Sequence, residues 1–75
     1  MESKFIDLIK ETLDIEDREL LLSDKFRDYE EWNSLALLSV IATIDEEYDL
    51  VIEGNVFQKL LTLEELYAEI QKRIQ

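Results

Sequence analysis

The chain is short and acidic, and it contains neither cysteine nor histidine. Its 75 residues include 19 acidic and 8 basic side chains, for a net charge of −11 at pH 7. Without cysteine it forms no disulfide or thiolate metal site, and without histidine it lacks the usual base of nucleophilic enzymes. The charge also disfavours nucleic acid and anionic membranes, which proteins bind through Lys and Arg. We therefore expect no enzyme, no nucleic-acid partner and no membrane partner.

The hydrophobic content of 47% is too high for a disordered acidic tail, so the chain should fold. A chain of this length makes one domain, residues 1–75. It has no N-terminal apolar signal segment and no apolar run long enough to cross a bilayer. The sequence thus predicts a cytoplasmic protein, which we expect to be a monomer.

The first predicted helix is Glu2–Leu13. Its apolar residues recur every three or four positions, as on one face of an amphipathic helix: Phe5, Leu8, Ile9 and Leu13. The next twenty residues show no such period, although a structureless segment of that length is unusual in a compact domain. We expect a helical turn over Glu16–Leu22, anchored by its leucines. Phe26 and Tyr29 should then turn towards the core.

The second predicted helix is Ser34–Tyr48. It follows Asn33, and both Asn and Ser are favoured helix caps because their side-chain oxygens accept from free backbone N–H groups. Apolar residues lie on nearly every face of this helix, which is typical of a helix that is buried or that offers a surface to a partner. A domain of this size cannot bury the whole helix, so part of it should face a partner.

The rest of the chain predicts one short helix and one last amphipathic helix. Glu53–Asn55 contains the one glycine of the chain and is the predicted tight turn, because Gly and Asn tolerate positive φ. A short third helix should follow over Val56–Leu61. Thr62 and Glu65 match a capping box for the last helix, whose apolar stripe is Leu63, Leu66, Tyr67, Ile70 and Ile74. The predicted fold class is all-α, a small four-helix bundle of three main helices and one short helix.

Ser34 lies where a polar turn meets the start of the second helix. Backbone N–H groups and the helix dipole at such a position suit an anion. The plain interpretation is that Asn33 or Ser34 only caps the helix, and a motif of three residues does not decide against it. The neighbouring segments favour a more specific interpretation.

Residues 32–35, Trp-Asn-Ser-Leu, resemble the Asp-Ser-Leu signature of acyl and peptidyl carrier proteins. Upstream, Ser-Asp-Lys-Phe at 23–26 is similar to the family's loop, and Phe26 lies eight residues before Ser34, a spacing that also resembles the family's. Downstream, residues 44–48 resemble the end of the family's second helix, and residues 62–66 resemble the start of its last helix. Asn33 replaces the signature's aspartate, which keeps a helix cap and removes a charge.

This resemblance implies that Ser34 carries a 4′-phosphopantetheine arm derived from coenzyme A, whose thiol holds acyl or aminoacyl groups as thioesters. A phosphopantetheinyl transferase would attach the arm, so the chain presents the serine and is not itself an enzyme. The other implied partners are acyl-loading ligases or synthases with basic or apolar docking surfaces. The implied fold is the acyl-carrier-like four-helix bundle.

The candidate docking residues flank the serine or lie along the second helix: Trp32, Asn33, Leu35, Ala42, Asp45 and Glu46. A large aromatic such as Trp32 is a common interface anchor, but core packing explains it equally well in a small domain. The acidic end of the second helix has the wrong sign for the helix dipole. Contact with a basic partner and plain solvation both account for that.

An apolar cavity between the second, third and fourth helices is a candidate shelter for a short acyl chain. Its candidate walls are Leu38, Ile41, Phe57, Leu60 and Leu66. Ordinary core packing is the alternative for the same residues, and their helical spacing favours it. No metal site is expected, because the ligand spacing of an EF-hand loop is absent.

Two functions follow from these observations. The first is a carrier protein with 4′-phosphopantetheine on Ser34. The second is an unmodified acidic helical module that uses its apolar second helix for protein–protein interaction. An experiment that detects attachment of the arm to Ser34 distinguishes these two functions.

Salt or Mg²⁺ should raise the melting temperature of the chain. A net charge of −11 opposes compaction by self-repulsion, and added ions screen that repulsion. Thermal unfolding followed by circular dichroism across a NaCl and a MgCl₂ titration measures the effect. A melting temperature that stays constant across both titrations would contradict the argument from repulsion.

Overall fold

A computed structural model describes residues 2–74 as a bundle of helices. The four α-helices are α1 (Glu2–Leu13), α2 (Ser34–Tyr48), α3 (Gly54–Phe57) and α4 (Leu63–Ile74). A single 3₁₀ turn, Phe26–Asp28, lies in the long loop between α1 and α2. The predicted all-α bundle of three main helices and one short helix is confirmed, and α1 and α2 have the predicted bounds.

Two local predictions are wrong. Residues 16–22 form no helical turn. Leu20 is buried while Leu21 is 60% exposed, and the carbonyl of Leu22 accepts from the N–H of Glu64 in α4. Gly54 does not supply a turn with positive φ, and it opens α3 instead. As a result α3 begins two residues earlier than predicted, and it ends at Phe57.

The core is wholly apolar within the described residues and is built from one face of each long helix. It comprises Phe5, Ile9 and Leu13 of α1; Ala36, Val40 and Ile44 of α2; and Leu63, Leu66 and Ile70 of α4. The loops and α3 complete it with Ile15, Leu20, Phe26, Ile52, Phe57 and Leu60. Because α2 buries residues spaced by four, its remaining apolar side chains are left at or near the surface.

The long α1–α2 loop is held against the start of α4 by backbone hydrogen bonds. The backbone N–H groups of Leu63 and Glu64 donate to the carbonyls of Asp24 and Leu22, at 3.1 and 2.8 Å. These donors belong to the first turn of α4, where no helical acceptor exists. Thr62 is the predicted cap, and its Oγ1 accepts from the N–H of Glu65 at 3.2 Å. The loop therefore completes the amino end of α4.

Arg27 ties the same loop to α3. Its guanidinium donates to the carbonyl of Phe57 at 2.9 Å and to the carbonyl of Leu60. These carbonyls lie at and just beyond the end of a helix of four residues, where backbone acceptors are left without helical donors. One side chain thus fixes the carboxyl end of α3 against the loop.

The end of α1 is a Schellman motif with aspartate in the position that usually holds glycine. Asp14 has φ of 58°, its N–H donates to the Glu11 carbonyl at 3.2 Å, and the N–H of Ile15 donates to the Lys10 carbonyl at 2.9 Å. Ile15 is buried beside this turn. The left-handed region strains a side chain with a Cβ, and glycine avoids that strain.

Asp14→Gly should therefore raise the free energy of unfolding by about 0.5–1 kcal/mol, since it relieves the strain and removes a negative charge from a helix carboxyl end. Urea denaturation at pH 7 measures it. Asp7→Gly is the matched control: it removes the same charge from an exposed position inside α1, where glycine weakens the helix. Equal destabilisation by both substitutions would contradict the prediction.

Candidate functional site

Ser34 is the first residue of α2, and it is exposed. The cap is Asn33, whose backbone is extended and whose Oδ1 accepts from the N–H of Ala36 at 2.8 Å. The carbonyl of Asn33 accepts the first helical hydrogen bond, from the N–H of Leu37 at 3.0 Å. Of the two residues proposed as a cap, Asn33 has that role. The hydroxyl of Ser34 is therefore not needed to complete the helix.

Two backbone donors lie next to this hydroxyl. Within residues 2–74, the N–H groups of Ser34 and Leu35 have no hydrogen-bond acceptor. They are the first donors of a helix of 15 residues and lie at the positive end of its dipole. An anionic group on the Oγ of Ser34 would be stabilised by these donors.

Trp32 rests on the aromatic part of the core. Its ring packs edge-on against Phe26 with a centroid distance of 4.9 Å, and Phe26 packs edge-on against Phe57 at 6.3 Å. Trp32 is half-buried, whereas Phe26 and Phe57 are buried. The core interpretation of Trp32 is correct for one side of the ring. A docking role for the exposed part stays a prediction.

A polar network holds the residues just before the cap. Arg18 donates to both carboxylate oxygens of Glu31, at 2.7 and 3.1 Å, and its guanidinium lies 5.4 Å from the centre of the Tyr29 ring. The hydroxyl of Tyr29 donates to Oδ2 of Asp24 at 2.8 Å. The hydrogen bond from Arg18 lowers the pKa of Glu31, while burial and the bond to Asp24 raise the pKa of Tyr29. Glu31 therefore stays ionised and Tyr29 stays neutral near pH 7.

One face of α2 is exposed and apolar. Leu35 and Leu38 are 74% and 62% exposed, and Ala42 is exposed on the same face, three to four residues further on. Asp45 and Glu46, at the carboxyl end, are exposed as well. The expectation that part of α2 reaches the surface is confirmed. That this face docks partners stays a prediction.

Four of the five predicted walls of an acyl cavity belong to the packed core or border it, and the fifth does not. Leu38 points to solvent, so its assignment as an interior wall is wrong: it belongs to the exposed face of α2. Ile41 is half-buried, while Phe57, Leu60 and Leu66 are members of the packed core. Two surface cavities, of about 580 and 300 Å³, lie elsewhere, one in the α1–α2 loop and one between α1 and α2. For these core residues the geometry supports ordinary packing.

Two arginines near the site were not predicted from the sequence. Arg18 pairs with a residue thirteen positions further on, and Arg27 contacts carbonyls thirty or more positions further on. Both lie in or beside a loop without periodicity, so no pattern indicated their partners.

Residues 2–74 contain no helix with the length and apolar content of a membrane span.

Comparison with known proteins agrees with this geometry. The family model described as phosphopantetheine attachment site matches residues 3–70. No curated protein matches the chain. Among solved structures, the chain is similar in fold to a holo acyl carrier protein from Geobacter metallireducens determined by solution NMR, with a TM-score of 0.79 and 18% sequence identity. The alignment covers 93% of this chain and 80% of that protein.

The family match spans nearly the whole described structure and includes Asn33, Ser34 and the exposed face of α2. The resemblance noted in the sequence is therefore confirmed at the level of the family. Carrier domains of this family bear phosphopantetheine-linked acyl groups, interact with transferases and biosynthetic enzymes, and are not themselves enzymes. The chain belongs to the phosphopantetheine attachment-site family of carrier proteins, whose prosthetic group is 4′-phosphopantetheine.

Proposed function

We propose that this chain is a carrier protein that bears 4′-phosphopantetheine on the Oγ of Ser34 and carries acyl or aminoacyl groups as thioesters. The observation that supports this most directly is the position of Ser34. It is an exposed hydroxyl at the start of α2, beside two free backbone donors and next to a cap made by another residue.

The residues around Ser34 fit the group. A phosphodiester on its Oγ would accept from the backbone N–H groups of Ser34 and Leu35, at the positive end of α2. The exposed side chain of Ser34 leaves room for an arm to extend away from the bundle. When bound, the arm supplies a thiol that forms thioesters with cargo.

Attachment is a phosphoryl transfer carried out by a partner. The Oγ of Ser34 forms a bond to the phosphorus on the pantetheine side of coenzyme A, the pyrophosphate P–O bond breaks, and adenosine 3′,5′-bisphosphate leaves. The hydroxyl proton passes to a base of the transferase, since the chain has no histidine. This chain holds the nucleophile at the start of a helix, and the transferase supplies the base.

Partner docking on the exposed face of α2 is the second part of the proposal. Leu35, Leu38 and Ala42 offer apolar contact directly beyond the attachment point, and Asp45 and Glu46 offer negative charge at the far end. Trp32 and Asn33 border the serine on the other side. The partners that fit are a phosphopantetheinyl transferase and acyl-loading ligases or synthases with basic or apolar surfaces.

Incubation of the wild-type chain with coenzyme A and a broad-specificity phosphopantetheinyl transferase should add the mass of one phosphopantetheine group. Intact mass spectrometry detects the product, and peptide fragmentation locates it. Ser34→Ala should abolish the gain. Ser39→Ala should retain it, because Ser39 is also an exposed serine of α2 but lies more than one turn from the free donors.

Absence of any gain with several transferases would contradict the proposal and favour the unmodified interaction module. A gain that persists in Ser34→Ala would place the group on another residue. Either result leaves the fold unchanged.

The side chain of Asn33 should stabilise the start of α2 through a hydrogen bond that alanine cannot form. Asn33→Ala removes the acceptor of the Ala36 N–H and should lower the free energy of unfolding by about 1 kcal/mol. Asn33→Asp keeps an acceptor and adds a charge that the helix dipole favours, so its stability should match or exceed that of the wild type. Urea denaturation at pH 7 compares the three proteins. Equal stability of the Ala and Asp variants would show that the cap contributes nothing.

A further inference from the structure

The ion pair between Arg18 and Glu31 is more directional than an ordinary surface contact. Two nitrogens of Arg18 reach the two oxygens of Glu31, at 2.7 and 3.1 Å, a fork that fixes the plane of the carboxylate. Both side chains are about one-third exposed, at 36% and 29%. Glu31 lies only three residues before Ser34. The pair therefore restrains the backbone directly upstream of the attachment residue.

Arg18 also reaches the beginning of the same segment. Its guanidinium lies over the ring of Tyr29 at 5.4 Å, within the range of a cation–π contact. The Tyr29 hydroxyl donates to Oδ2 of Asp24, and the same oxygen accepts from the N–H of Leu21 at 2.9 Å. Arg18 thus bridges two residues of the segment, Tyr29 and Glu31, while Tyr29 is itself held by the loop.

The restraint continues to the helix. The N–H of Trp32 donates to the carbonyl of Tyr29 at 3.0 Å, and the Trp32 ring rests on Phe26. Asn33 follows as the cap. Residues 29–33 are therefore held by a continuous set of contacts that leads to Ser34, and Arg18 is the cation that contacts two of these residues.

We propose that Arg18 is a positioning residue for the loading of Ser34: by bridging Tyr29 and Glu31 it holds residues 29–33 so that the Ser34 hydroxyl is presented to the transferase in one orientation. This inference rests on the proposed function. Arg18 touches neither the hydroxyl nor the incoming group, so it acts through the segment it holds. Its pairing also neutralises a carboxylate near the point where the polyanionic coenzyme A must approach.

The effect of the pair on loading should exceed its effect on stability. A partly exposed ion pair contributes only modestly to the free energy of folding, even with forked geometry. Orientation of a nucleophile is different, because a small displacement from the reactive geometry lowers the rate strongly. The core, the cap and the exposed face of α2 do not depend on Arg18, so docking should survive its removal.

The test compares two double substitutions that each replace an arginine and its hydrogen-bonded glutamate without changing net charge. Arg18→Gln with Glu31→Gln removes the pair next to the site. Arg73→Gln with Glu69→Gln is the matched control, since Arg73 donates to Glu69 at 2.8 Å near the far end of α4. For each protein, kcat and KM for the carrier are measured with a phosphopantetheinyl transferase, and folding is checked by circular dichroism.

In the first double variant, kcat should fall about tenfold, while KM should stay within about twofold of the wild-type value. Both constants should be unchanged in the control variant. Amide hydrogen exchange of the unmodified proteins provides a second readout. The Trp32 N–H should exchange faster only in the first variant, because its acceptor Tyr29 is no longer held by Arg18.

Equal kcat in the wild type and the first variant would overturn the inference and leave the proposed function intact. A fall of similar size in the control variant would also overturn it, because the loss would then follow from general weakening of the fold. If the wild-type chain is not loaded on Ser34, the proposed function fails and this inference fails with it.

Discussion

The burial of Phe26 is the constraint on which the arrangement around Ser34 depends. The side chain is 1% exposed and lies between the rings of Trp32 and Phe57, so it joins the segment before the serine to α3. Its neighbours in sequence extend that connection: Lys25 pairs with Thr62 ahead of α4, and Arg27 donates to the end of α3. The burial of this one side chain thereby orders a loop of twenty residues that contains no α-helix. Polar contacts on either side then set the direction in which the chain enters α2.

The sequence was sufficient to predict the long helices and to indicate Ser34 as the candidate attachment residue, for a physical reason. Helices of 12 to 15 residues show three or four repeats of their apolar spacing, and their caps carry distinctive side chains. Asn33 before Ser34 and Thr62 before Leu63 are such caps, and both function as caps in the structure. The family signature falls at one of these boundaries, so the sequence alone indicates the candidate site.

The remaining features depend on contacts between residues far apart in sequence. The sequence predicts a helical turn over residues 16–22, because nothing local shows that the carbonyl of Leu22 accepts from the first turn of α4. The sequence predicts Leu38 in the interior, because an apolar residue on a helix that is apolar on nearly every face does not show which side it faces. Left-handed φ occurs at Asp14 and Asp49 and not at the glycine, since helix ends are fixed by the packing that follows them. The role of Arg18 likewise becomes visible only when Glu31 is brought next to it.

The exposed face of α2 has a consequence for the order of events on this carrier. Leu35 follows Ser34 directly, so under the proposed function an enzyme docked on this face would also cover one flank of the serine, and two enzymes could not dock there together. The face offers two leucines and one alanine, far less apolar area than long-lived complexes bury. Each complex with an enzyme would therefore be short-lived, and dissociation would be fast enough for the next enzyme to bind. A small surface that binds weakly would suit a protein that dissociates from one enzyme before it binds another.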